Sequence, residues 1–81
     1  MSARVPRYFF HVHDRGDVPD DTGVELPSMQ RVRSEAIRAT GEILREYKTT
    51  VSDGVDWRMN VADESGRTVF ILRLSALEPA K

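Results

Sequence analysis

The sequence predicts a two-layer α+β domain, a four-stranded sheet with one long helix packed on one face, in the order ββαββ. Three observations carry this. Arg7–His13 sends Tyr8, Phe10 and Val12 to one side and Phe9, His11 and His13 to the other, the two-residue period of a strand. From Met29 the apolar residues recur every three or four positions, the period of a helix. After Gly54 come two more alternating stretches, separated by the turn formers Asp63-Glu64-Ser65-Gly66.

Each element follows from its residues. Asp14 to Gly23 is rich in Asp and Gly and reads as a loop. Val24-Glu25-Leu26 is a brief second strand. Pro27-Ser28 opens the helix, with Ser28 as N-cap accepting from an orphan backbone N–H of the first turn. Arg31 stands where a Glu or Gln would complete the capping box. The helix stripe is Met29, Val32, Ala36, Thr40, Ile43 and Tyr47, widened by Ile37, Ala39 and Leu44. Arg31, Glu35, Arg38, Glu42 and Arg45 face away, and Thr49 to Gly54 ends the helix. Asp56–Ala62 alternates Trp57, Met59 and Val61 against Arg58 and Asn60. Arg67–Leu74 sets Phe70, Leu72 and Leu74 opposite Val69, Ile71 and Arg73. The expected core is Tyr8, Phe10, Val12, Trp57, Met59, Val61, Phe70, Leu72 and Leu74 against the helix stripe. The first and last strands are apolar on both faces, which favours central positions and the order 2-1-4-3 with those two strands parallel. The fully antiparallel order 2-1-3-4 is the alternative.

With 81 residues, the chain is expected to form a single compact domain over 1–81, its core about 7–75 and its tails 1–6 and 76–81. A domain of this size buries only ~60–65% of its unfolded surface, so a second copy is one source of further burial. There is no cysteine to form a disulfide or a thiolate zinc site. Twelve basic and thirteen acidic residues leave a net charge of −1, without the positive field that drives phosphate-backbone binding. Arg4, Arg7, Arg31, Arg33 and Arg38 would be the contacts to nucleic acid, and interleaved acids disfavour them. No stretch has the length of a membrane span and no apolar leader opens the chain, so a cytoplasmic protein without a membrane anchor is expected.

The stretch Arg7-Tyr8-Phe9-Phe10-His11-Val12-His13-Asp14, the segment Gly23-Val24-Glu25-Leu26-Pro27-Ser28 and the hairpin Asp63-Glu64-Ser65-Gly66 together resemble a family of small, uncharacterised bacterial proteins, a domain of unknown function. The resemblance runs from about Arg7 to Leu74. It implies one compact domain in a bacterial cytoplasm and brings no activity with it. Arg31 and Arg33 depart from the more acidic or alanine character of that family's helix start.

Candidate chemistry is sparse. His11 and His13, two residues apart on a strand, project from one face with rings ~7 Å apart, a spacing at which two imidazoles can share an ion. Glu25 would complete the set if the second strand pairs with the first. Asp14, Asp17, Asp20 and Asp21 do not have the spacing of a calcium loop and read as turn formers that bond their own backbone amides. Arg33 falls within the apolar arc of the helix, where it either snorkels to water or pairs with an Asp of the 14–21 loop. No Cys nucleophile, G-x-S-x-G, P-loop or dinucleotide fingerprint is present, so an enzyme is not expected and no cofactor is called for. The second sheet face, with Phe9, His11, Val69 and Ile71, is the candidate interface. The sequence therefore points to a non-enzymatic interaction or regulatory module. Its partner would be a second copy in a homodimer or another protein, with a small metal-binding protein as the alternative.

Overall fold

The computed structural model describes residues 4–14, 16–46, 56–75 and 79. Tyr47 and the helix terminator from Thr49 to Gly54 lie outside the described residues, as does most of the 76–81 tail. The elements are β1 (Arg7–His13), β2 (Asp17–Val18), β3 (Val24–Glu25), α1 (Met29–Glu46), β4 (Asp56–Ala62) and β5 (Thr68–Ser75). One helix packs on an antiparallel five-stranded sheet, the α+β class that the alternation and the helical period predict.

Two corrections concern the sheet. Asp17–Val18, expected as loop, pairs antiparallel with β1 through Val12↔Val18 and His13↔Asp17, and β3 pairs with the start of the same strand through Arg7↔Glu25 and Tyr8↔Val24. Two residues are too few to show a period, so only the tertiary pairing makes β2 a strand. The order favoured from sequence, 2-1-4-3, is also overturned. β4, not β5, lies beside β1, in the register Phe10↔Val61 and Val12↔Met59, and every pairing is antiparallel. The reason is burial. Trp57, Met59, Val61 and Ala62 of β4 are all buried, as a central strand requires, whereas Ile71 of β5 is 51% exposed. The apparent double apolarity of β5 is partly a bulge. Val61 faces Phe70 and Ala62 faces Thr68, so Val69 is left over between them and packs against the core.

The expected core residues of the sheet all gather on the helix side. Trp57, Met59 and Val61 are fully enclosed there with Val32 and Ala36, while the flanking Tyr8, Phe10, Val12, Phe70, Leu72 and Leu74 remain half-buried. Leu26 joins the cluster just before the helix, its N–H donating to the Pro6 carbonyl at 3.0 Å. Ser28 caps the helix as expected: its Oγ accepts from Arg31 N–H at 3.2 Å and its carbonyl from Val32 N–H at 3.0 Å. The buried Thr40 hydroxyl donates to the Met59 sulfur at 3.9 Å, tying helix to central strand. Ile37 is 61% exposed, outside the stripe the sequence suggested, and Arg33 is exposed without an ion pair among the described residues.

The β4–β5 turn is held by Asp63, whose Oδ1 accepts from Ser65 N–H, the Ser65 hydroxyl and Arg67 N–H. Gly66 supplies the left-handed residue at φ 88°. Among the described residues no helix is long and apolar enough to cross a membrane.

Because Met59 is 1% exposed between helix and sheet, Met59→Ala should cost about 2–5 kcal/mol in urea unfolding. Ile37→Ala should stay within about 0.5 kcal/mol of wild type. Equal costs at the two positions would contradict the assignment of the helix face.

Candidate functional site

The odd-numbered residues of β1 and their partners form the sheet face turned away from α1. Residues directly opposite in an antiparallel pair share a face, which gives three cross-strand rows. His13, Arg58 and Arg73 make one, His11, Asn60 and Ile71 the next, and Phe9, Ala62 and Thr68 the third. Asp17 extends the first row onto β2, and Glu25 stands beside Arg7 at the far end.

One carboxylate organises the outer edge of β1. Between β2 and β3 the chain is too broken by Pro19 and Gly23 to continue a ladder, and Asp20 fills the gap. Its Oδ2 accepts from Phe10 N–H at 3.0 Å, where a neighbouring strand's carbonyl would otherwise stand. Its Oδ1 accepts from Thr22 N–H at 3.0 Å and Gly23 N–H at 3.1 Å. Partial burial pushes this carboxyl upward, but the three backbone N–H groups and the nearby His11 outweigh it and hold Asp20 below its ordinary value. Gly23 completes the turn at φ 78°, and a Cβ there would lie 2.8 Å from the Phe9 ring and from Arg7 Cγ. Arg7 closes the same loop from outside, donating to the Thr22 carbonyl at 2.9 Å and pairing with Glu25 at 3.3 Å.

The same loop sets both imidazoles. Asp20 N–H donates to His11 Nδ1 at 3.0 Å, so that nitrogen carries the lone pair and the proton sits on Nε2. The His11 ring stacks on Phe9 at 6.5 Å between centroids and 8° between planes. His13 Nδ1 lies 2.6 Å from Asp17 Oδ1 and donates to it, which leaves the His13 Nε2 lone pair open. The two neighbouring histidines thus differ in chemistry: His11 offers a donor at Nε2 and His13 an acceptor.

A shallow trough of about 260 Å³ crosses this face, lined by His11, His13, Asp17, Asn60, Ala62 and Thr68. Its floor on β4 is made of the smaller side chains Asn60 and Ala62. Within the floor, Asn60 Oδ1 is buried without a hydrogen-bond partner among the described residues, as is Arg58 Nε in the adjacent row. Orphaned buried polar atoms are few in folded proteins and are costly where they occur.

Of the residues singled out from sequence, Phe9, His11 and Ile71 do share this face. Val69 does not stand with them, because the bulge turns it onto the core. The His11, His13 and Glu25 set is also separated. Glu25 lies opposite Arg7, four residues along β1 from His11, and is held by the Arg7 guanidinium. Among the described residues no group of three or more His, Asp or Glu side chains is placed to hold an ion. Asp20 was legible only as a turn former, which it is, and its bond to Phe10 spans ten residues and leaves no local signal. Asn60 and Ala62 gave no signal beyond small or polar character on a strand.

Residues 7–75 match the profile of the domain of unknown function DUF6894, and the chain belongs to that family. No curated protein and no solved structure matches it.

Asp20→Asn should destabilise the fold by about 1–3 kcal/mol at neutral pH, because an amide can accept at one end only and turns its NH2 toward a backbone donor. Since the folded carboxyl lies below its unfolded value, its stabilisation is complete above about pH 4, the ordinary Asp range, and is lost as pH falls through the folded value. The difference between wild type and variant in urea melts should therefore shrink on acidification. A difference that stays constant into the acid range would contradict the role given to the carboxylate.

Proposed function

We propose that the protein is a non-enzymatic interaction module of the bacterial cytoplasm that associates with a second copy of itself through the sheet face opposite the helix. The observation that carries the reading is the asymmetry of the layers. α1 covers one face, while among the described residues no element packs on the other, which presents Phe9, the 51% exposed Ile71 and the trough between them. Apolar side chains on either side of a small-residue floor, Phe9 on β1 and Ile71 on β5, resemble the centre of an interface, with Arg58 and Arg73 as its polar rim.

Other classes have less support. The His13–Asp17 pair resembles half of a nucleophile-activating arrangement, but among the described residues no Ser or Thr hydroxyl bonds to either imidazole. Nucleic-acid binding would need a group of uncompensated cations. Of the five arginines named from sequence, Arg4, Arg7 and Arg38 are each held by a carboxylate, from Glu64, Glu25 and the Glu35–Glu42 pair respectively, which among the described residues leaves Arg31 and Arg33 alone at the helix start.

Sedimentation equilibrium across the micromolar range should show wild type passing from monomer to dimer. Ile71→Asp should remain monomeric with an unchanged urea midpoint, since the side chain is half exposed and outside the core. Equal self-association by wild type and Ile71→Asp would rule out this face as the contact.

A further inference from the structure

Apart from the Arg7–Glu25 pair at the far end, the charges on the exposed face are divided by edge: Asp17 sits on β2 outside β1, while Arg58 and Arg73 sit on β4 and β5. Resting on the self-association reading above, we propose that the second copy docks about a two-fold axis running along the strands between β1 and β4, so that β1 of each copy lies over β4 of the other.

This axis exchanges the two edges within each row. Asp17, whose side chain is 78% exposed, then faces Arg73 of the second copy, and the contact occurs twice. Arg73 also has a contact within its own chain, to which the attraction of Asp17 adds. A two-fold running across the strands would instead set each edge on its own equivalent, so that Asp17 and Arg73 never meet. Charge complementarity therefore favours the axis along the strands.

The same operation pairs the hydrogen-bonding groups that the single chain leaves open. His11, with its proton on Nε2, faces Asn60 of the second copy, whose Oδ1 has no partner among the described residues. A χ2 rotation, soft for an Asn, turns that oxygen outward. Arg58, which can only donate, faces His13 of the second copy, whose Nε2 is the acceptor of the neutral ring because its proton stays on Nδ1 against Asp17. Ile71, the exposed apolar residue at one edge, falls over Pro19 at the other, the residue before which β2 ends. Sheets stacked this way lie about 10 Å apart, within reach of Arg and His from both sides.

The contact is small. Three strands about 20 Å long and the two-residue β2, at ~4.8 Å spacing, give a footprint of roughly 350 Å² per copy, below what stable specific complexes bury. The dimer is accordingly a weak one, to be sought at high micromolar concentration.

The test is a mixing experiment with two charge reversals, Asp17→Arg and Arg73→Asp, read by sedimentation equilibrium beside wild type. Each variant alone places like charges at both symmetric contacts and should associate roughly tenfold or more weakly than wild type. An equimolar mixture of the two should recover a heterodimer near wild-type affinity, since positions 17 and 73 then carry opposite charges at both contacts. Any loss of local structure in a single variant persists in the mixture, so recovery cannot come from folding. If wild type dimerises and the mixture is no tighter than its components, the proposed axis is overturned while self-association stands. If wild type stays monomeric to high micromolar concentration, both fall.

Discussion

The exposed half of this molecule depends on a single carboxylate standing in for a strand. β1 has two edges; β4 takes one, and the other must be closed by a segment containing Pro19, Gly16 and Gly23 that cannot run as a continuous ladder. Asp20 bridges the break by accepting from Phe10 on one side and from Thr22 and Gly23 on the other. The backbone donors of Phe10, Asp20, Thr22 and Gly23 thereby each find a partner while the chain bulges outward. Because the Asp20 amide then points at His11, closing the edge also fixes which imidazole nitrogen faces outward.

Size explains why no element among the described residues covers the second face. A short chain with one helix can enclose one side of a sheet, and here the enclosed part is narrow: the strand in the middle and two helix turns are sealed, while the apolar residues of the outer strands stay half in contact with water. Stability is gained on the side of the sheet that the helix covers. The polar network on the open face is built on β1 and its edge loop, so the groups that would meet a partner are held by the same hydrogen bonds that complete the fold.

Much of this was legible from residue order. The alternation in Arg7–His13 and Asp56–Ala62 and the helical period from Met29 identify the core side correctly, because inward residues of a half-covered sheet must be apolar. Ser28 was readable as a cap and Gly66 as a left-handed turn residue for equally local reasons. Strand order was not. Val69 and Ile71 make β5 look apolar on both sides, and only the bulge, a property of the pairing, shows that Val69 belongs to the core. The open face was half legible: Phe9, His11 and Ile71 follow from parity, whereas Asp20, Asn60 and the separation of Glu25 from the histidines depend on register between distant segments. Parity tells which face a residue takes and says nothing about how far along the strand its neighbour lies.

The tautomer of His11 tests the central claim most directly, since it follows from Asp20 closing the edge and determines what the face can offer. Long-range proton–nitrogen correlation at neutral pH should show His11 protonated on Nε2 with a bare Nδ1 that accepts the Asp20 amide. A proton on Nδ1, or two nitrogens averaging freely, would mean that Asp20 does not hold the ring, and the account of this face would fail with it.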